Sequence, residues 1–277
     1  MLPQLANTYN PTKDYGHSQW LASPKLDGIR CLYYSPDKGL TSRSQKLRYV
    51  GFPEIETNCQ MLCADNNLSF LDGELYIPGE KFDVISGIVR DHKNYDINAK
   101  ARVQFRVFAV GSLQAPLMPT GLMYDLMQSA LPATGRLNYL PHSYIPNTPA
   151  AVQTVAELMK STGQSDEGIM LRNVLSVYAG GRSNNLLKVK NFVKSNFVMV
   201  GFTKGTGKFA KSLGNVLIRG MVDGKIANAK VGTGFSDAER SNIWANQSSY
   251  LGENIEVIYL GVTPGGSLRH PIFSQLV

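Results

Sequence analysis

Four short stretches of the chain carry charged side chains where ordered backbone is expected. SPKLDGIRCLYY, residues 23–34, sets Lys25 and Arg30 on either side of Asp27-Gly28, directly before an apolar and aromatic run. FLDGELYI, residues 70–77, repeats the device with Glu74 behind a second Asp-Gly. Asp166-Glu167-Gly168 precedes another apolar run, and LLKVK carries Lys188 and Lys190. Taken alone, an Asp-Gly pair between apolar runs reads as a hairpin turn, with solvated charges on its flanks. Lys188 and Lys190 are two apart, so on a strand both would project from the same face. If that face lines a cleft, two cations meet there. What amines, a guanidinium and carboxylates can do together then depends on whether one cleft gathers them.

The elements that must do the gathering are legible as pattern. From Trp20 to about Phe108, short β-branched and aromatic runs are broken by turn signals, which predicts antiparallel sheet with helices inserted. Apolar residues at three-and-four spacing predict helices over 124–131 and 150–161, the second entered through Thr148-Pro149 as cap and first turn. Strand-like segments resume between Glu167 and Val200, with the soft stretch AGGRSNN between them. After Lys194 come short strands at regular intervals with turn-rich joints, TKGTGK, SLGN, VDGK and GTGFSD. These predict a second, small β-barrel domain over 194–277, following a first domain over 1–193.

With 277 residues the chain can bury a core without staples. Its formal net charge of +7 favours an acidic partner such as nucleic acid. Three cysteines cannot complete a four-ligand zinc site, and the four histidines, at 17, 92, 142 and 270, lack metal-ligand spacing. No run of eighteen apolar residues and no leader-like N-terminus occurs, so a protein of the cytoplasm, or of the host cytoplasm if phage-encoded, with no membrane role is expected. KGTGK falls short of a full phosphate-binding P-loop, and a glycine-rich hairpin fits it better.

In their order, KLDGIR at 25–30, DGE at 72–74, Glu167-Gly168 and KVK at 188–190 resemble the nucleotidyltransferase motifs of ATP-dependent DNA ligases and mRNA capping enzymes. GTGKFAKSLGNVLIRG, VGTGFSDAERSNIW, SYLGENIEVIY and LRHPIF are similar to the OB-fold domain of DNA ligases, especially the minimal two-domain enzymes of phages and large DNA viruses. The resemblance implies an α+β fold: an ATP-grasp-like nucleotidyltransferase domain with antiparallel sheets, followed by an OB-fold β-barrel. It also implies sealing of nicks in duplex DNA by a monomer, with ATP and Mg²⁺ or Mn²⁺, through a lysyl-AMP intermediate and an adenylated 5′-phosphate.

The same resemblance assigns roles. Lys25 matches the nucleophile that takes AMP, with Leu26 and Arg30 beside it in the nucleotide site. A lysine with its ordinary pKa of about 10.4 cannot attack, so crowding by Arg30, Lys188, Lys190 and a metal is expected to disfavour its ammonium form. Glu74 and Glu167 match carboxylates for the ribose and the metal, and Lys188 and Lys190 match lysines that hold the α-phosphate. Arg43, in LTSRSQK, matches an arginine that grips the 5′-phosphate of the nick, although a solvated hairpin arginine fits it equally well. Phe108 resembles the aromatic that stacks on adenine, but Ala109 stands where the family usually has aspartate, and a core phenylalanine is the competing reading. Lys204, Lys208, Lys211 and Arg219 form an expected DNA-binding surface in or near the barrel's first turns. The family's barrels usually continue past the RHPIF-like segment into a basic cluster that orients pyrophosphate; Arg269 is the residue expected to carry part of that role. Rival readings are an RNA ligase or guanylyltransferase of the same superfamily, and a non-catalytic nucleic-acid-binding protein.

Overall fold

In the computed structural model, which describes residues 2–34, 38–115, 117–165, 167–263 and 265–277, the alternating apolar runs form strands and the three-and-four patterns form helices. The chain divides into two compact units, Met1–Val189 and Lys190–Val277. The first begins with β1 (Gln4–Thr8), β2 (Gln19–Pro24), β3 (Ile29–Tyr34), β4 (Gly39–Ser42), α1 (Pro53–Asp65) and β5 (Phe70–Tyr76). It continues through α2 (Phe82–Arg90), α3 (Ile97–Ala101), β6 (Gln104–Gly111), α4 (Thr120–Ala130) and β7 (Leu137–Tyr139). β8 (Ser143–Pro146), α5 (Pro149–Ser161), β9 (Gly168–Asn173) and β10 (Gly181–Lys190) follow.

Two mostly antiparallel sheets result, in the orders β1-β10-β9-β2-β8 and β4-β3-β5-β6-β7. Apolar residues face both sides of β2: Trp20 and Ala22 pack with the α5 residues Val152, Ala156 and Met159, while Leu21 joins the larger core under the second sheet. The α5 entry is capped as its sequence predicts, the Thr148 hydroxyl accepting the Ala151 N–H.

Neither Asp-Gly pair makes the expected hairpin. Because β2 and β3 belong to different sheets, residues 25–28 carry the chain from one sheet to the other. Gly28 is required there by close approach, since a Cβ would lie 2.6 Å from the Leu75 carbonyl oxygen and 2.7 Å from Glu74 Cγ. Asp72-Gly73 lies inside β5, where a bulge interrupts the pairing with β6 and a Cβ on Gly73 would come within 2.4 Å of the Arg106 carbonyl oxygen. The stretch read as soft, AGGRSNN, is for the most part the start of β10. Asp166 lies outside the described residues.

The second unit holds β11 (Val193–Lys204), β12 (Leu213–Val222), β13 (Lys225–Val231), α6 (Asp237–Ala245), α7 (Gln247–Tyr250), β14 (Asn254–Tyr259) and β15 (Ile272–Leu276). Their sheet runs β13-β12-β11-β14-β15. Beyond these pairings, the Phe273 N–H donates to Thr233 just past β13, and a bridge joins Asn228 to Ser267. Asp223-Gly224 does form a tight hairpin turn, both residues left-handed at φ 49° and 74°. α6 opens on a capping box in which the Ser236 hydroxyl accepts the Glu239 N–H and the Glu239 carboxylate accepts the Ser236 N–H.

Candidate active site

A cavity of about 260 Å³ lies in the first unit, with walls from both sheets. Lys25, Leu26, Arg30, Arg43, Glu74, Phe108 and Lys188, all singled out in the sequence, line it. Lys25 is fixed through its backbone: its N–H donates to the Gly168 carbonyl at 2.9 Å, and its own carbonyl accepts the Ser165 hydroxyl at 2.8 Å. The segment that leads into β9 therefore positions both Glu167 and the lysine.

The Lys25 amine is ion-paired with Glu167. Crowding by cations is expected from the sequence to disfavour the Lys25 ammonium, but its direct partner is a carboxylate, which favours it. Cations do gather near it: the Lys188 pKa is lowered by burial and by the charges of Arg182 and Lys25.

Arg30 and Glu74 are cross-strand partners on β3 and β5. Arg30 does not extend freely into the cavity. Its guanidinium makes a bidentate pair with the fully buried Asp72, with both N–O distances at 2.5 Å, and also donates to the Gln4 carbonyl at 3.1 Å. Asp72 accepts a third hydrogen bond from the Tyr178 hydroxyl at 2.6 Å. Burial works against the Arg30 charge, yet the Asp72 carboxylate outweighs it and the guanidinium holds its proton more tightly than usual. Glu74 behaves oppositely: burial raises its carboxyl pKa from 4.5 to about 7, with Asp72 and Glu167 adding to the rise against the lowering pull of Arg30 and Lys25.

Phe108 is buried and both competing readings describe part of its surroundings, for it packs in the core and lines the cavity. Its ring already carries two guanidiniums, Arg30 at 4.7 Å and Arg172 at 4.8 Å from the centroid. Arg172 was not singled out in the sequence. It is a buried arginine on β9, held at 3.3 Å to the Ser23 hydroxyl and 3.2 Å to His142 Nε2, and burial lowers its pKa to about 10. A charged residue within the apolar run GIMLRN was the available signal. Arg182, also missed, lines the cavity from β10.

Lys190 is not brought to the cavity wall. It ends β10, where the chain passes into the second unit, and its amine lies over the Phe192 ring at 5.8 Å. The expected basic surface also divides. Lys208 and Lys211 lie in the turn between β11 and β12 and Lys204 ends β11, all exposed. Arg219 lies six residues along β12 from Leu213, roughly 20 Å away at the rise of a strand. Lys208 is ion-paired with Asp237 at 3.6 Å. The Arg269 backbone sits in a hairpin, its carbonyl accepting the Leu260 N–H at 3.0 Å and its N–H donating to the Gly261 carbonyl at 2.8 Å. Among the described residues no group of three or more His, Cys, Asp and Glu side chains is arranged to hold a metal ion. Glu74 and Glu167 can still fit Mg²⁺, which commonly takes one or two carboxylates and completes its shell with phosphate oxygens and water.

The ATP-dependent DNA ligase domain family matches residues 1–190, and the DNA ligase OB-like domain family matches residues 204–276. The DNA ligase of Haemophilus influenzae is 25% identical over 267 residues, covering 96% of this chain and 88% of that protein. The DNA ligase of Methanosphaerula palustris is 26% identical over 254 residues, of which this chain spans 45% of the relative's length. Among solved structures, a Lig E DNA ligase described as binding DNA with a minimal scaffold superposes with a TM-score of 0.76 at 24% identity, covering 99% of this chain and 98% of that one. The bacteriophage T7 ATP-dependent DNA ligase in complex with ATP gives 0.59 at 18% identity, over 100% and 98% of the two chains. The fold is that of a nucleotidyltransferase domain followed by an OB-like domain. This chain belongs to the ATP-dependent DNA ligase family.

Proposed function

We propose that the protein seals nicks in duplex DNA, as a monomer of the cytoplasm, with Lys25 as the residue that carries AMP. The observation that carries this reading is the fixing of the Lys25 amine, paired with Glu167, in the wall of a cavity that Arg30, Glu74 and Lys188 also line. Three free, buried thiols agree with a reducing compartment. No helix among the described residues is long and apolar enough to cross a membrane.

In the first step the Lys25 lone pair attacks the α-phosphorus of ATP. An N–P bond forms, the bond to the bridging oxygen breaks, and pyrophosphate leaves with the electron pair. Lys25 must first give up its ammonium proton, because an amine whose lone pair holds a proton cannot form the new bond, and the paired Glu167 carboxylate is the group placed to take it. Lys188, whose ammonium is already disfavoured by its surroundings, and Arg182 supply the positive potential for the phosphate oxygens. Lys190, over Phe192, joins them only if its strand end is redirected toward the nucleotide. Glu74 and Glu167 would hold Mg²⁺ or Mn²⁺, which neutralises phosphate charge when bound. Phe108, stiffened by its two arginines, would present a ring edge or face to adenine.

In the second step an oxygen of the nick's 5′-phosphate attacks the same phosphorus, the N–P bond breaks, and Lys25 recovers a proton. In the third the 3′-hydroxyl oxygen attacks the 5′-phosphorus and AMP departs. The exposed Lys204, Lys208 and Lys211, and Arg219 on its own part of the sheet, would track backbone phosphates without reading bases. The test is incubation of purified protein with α-labelled ATP or GTP, followed by a nicked duplex. Label from ATP that then passes to DNA is the expected result; label from GTP alone, or none, contradicts it.

A further inference from the structure

Two guanidiniums lie over Phe108, and their charges are met differently. Arg30 is neutralised by its bidentate pair with Asp72. Arg172 is only 4% exposed, and among the described residues no carboxylate pairs with it. Asp72 is already committed to Arg30 and Tyr178, and the β6 residue opposite Asp72 is Ala109, which adds no second carboxylate. The partners of Arg172 are neutral: its Nη1 donates to the Ser23 hydroxyl at 3.3 Å and to His142 Nε2 at 3.2 Å. His142 is fixed as that acceptor, because its Nδ1 meets the Leu140 carbonyl at 2.6 Å and must donate the ring proton there. Burial and the Arg172 charge hold the ring neutral. Nε and Nη2 of Arg172 have no hydrogen-bond partner among the described residues, and the guanidinium lines the nucleotide cavity. Donors left unpaired at so buried a site are unfavourable until a ligand acceptor meets them.

We infer that Arg172 is a specificity-determining residue for the nucleobase, donating a hydrogen bond to an endocyclic nitrogen of adenine; the inference rests on the reading above that this cavity takes ATP. Position favours the base over the phosphates. The α-phosphorus must stand at the Lys25 amine, and the Lys25 backbone is tied to Gly168 at the start of β9. Arg172 lies four residues further along the same strand, roughly 13 Å at the rise of a strand. Phe108, Leu140 and Met170 make the cavity wall near it apolar, a lining that suits a flat base and not a phosphate. A guanidinium has only donors to offer, while the adenine amino group is itself a donor, so the contact must fall on a ring nitrogen. Guanine also presents acceptors to an arginine, so the test removes single atoms from the base rather than exchanging whole nucleotides.

Adenylation of the full chain, followed by the mass it gains, is measured against concentration for ATP and for its 1-deaza, 3-deaza and 7-deaza analogues, each of which replaces one ring nitrogen by C–H. Wild type, Arg172→Met and Arg172→Lys are compared, with melting transitions to separate a lost contact from a lost fold. In the wild type one analogue should load roughly ten- to a hundredfold less well, the loss falling on the concentration required and not on the rate at saturation, and the other two should behave as ATP does. Arg172→Met should take ATP as poorly as the wild type takes that analogue and should not distinguish the two, with Arg172→Lys, which keeps a donor, in between. Three analogues that all load like ATP on the wild type would overturn the inference without any variant. A folded variant that keeps the wild type's full sensitivity to the same analogue would overturn it too, since another group would then read that nitrogen. A wild-type protein that takes no AMP from ATP would instead bring down the nucleotide reading itself.

Discussion

Arginine is used in opposite ways in the two units. In the first, Arg30 and Arg172 flank Phe108 at the cavity wall, and each is held by side chains, Asp72 for one and Ser23 with His142 for the other. In the second, the buried Arg240 spends its guanidinium on backbone carbonyls of Leu213, Gly214 and Gly232 and lies over the Phe209 ring at 4.3 Å. The first arrangement fixes side chains that meet a nucleotide. The second fixes the backbone of the β11–β12 turn and leaves its lysines outside. Geometry should therefore govern the first unit's contribution, and net charge the second's.

The contrast is broken most severely at Asp72. Asp72→Ala leaves the half-buried Arg30 without its counter-charge and Tyr178 without its acceptor, and should cost about 3 kcal/mol in urea denaturation, with adenylation lost in parallel. An unchanged midpoint would mean that the network holds nothing together.

Glu74 gives a smaller effect that depends on pH. Folding raises its carboxyl from 4.5 to about 7, so the folded state holds more protons between those values and stability falls as the pH rises through that window. At about 1.4 kcal/mol per unit the full effect is on the order of 3 kcal/mol. Denaturation of Glu74→Gln at pH 5 and pH 7.5 should show the fall removed; the same fall in the variant would place its source elsewhere.

The smallest effect is expected at the exposed turn. Lys211→Ala should weaken nick binding by about 1 kcal/mol or less, lower the slope of log affinity against log salt by about 1, and leave adenylation intact. A large loss of adenylation would show that the turn does more than attract phosphate.

The sequence makes some of this plain and hides the rest for physical reasons. The order of Lys25, Glu74, Glu167 and Lys188 is legible because each stands beside a glycine or an apolar strand, and the structure gathers them around one cavity. α5 is legible because Thr148-Pro149 is both cap and first turn. Asp72-Gly73 misleads: the pair has the chemistry of a turn, but burial on both faces of β5, a bulge and three hydrogen bonds to Asp72 make it strand. Arg172 and Tyr178 are hidden because their contacts with Ser23 and Asp72 span more than a hundred residues of sequence. The S-D-A-E box of α6 was legible in principle, and was masked by the glycine-rich turn GTGF before it.

The most direct measurement is sealing by Lys25→Ala on two substrates, an ordinary nick with ATP and a nick supplied already adenylated. If one amine captures the nucleotide and then yields it to DNA, the variant takes no label, leaves the ordinary nick open and closes the adenylated one. Sealing of the ordinary nick by the variant would contradict that account.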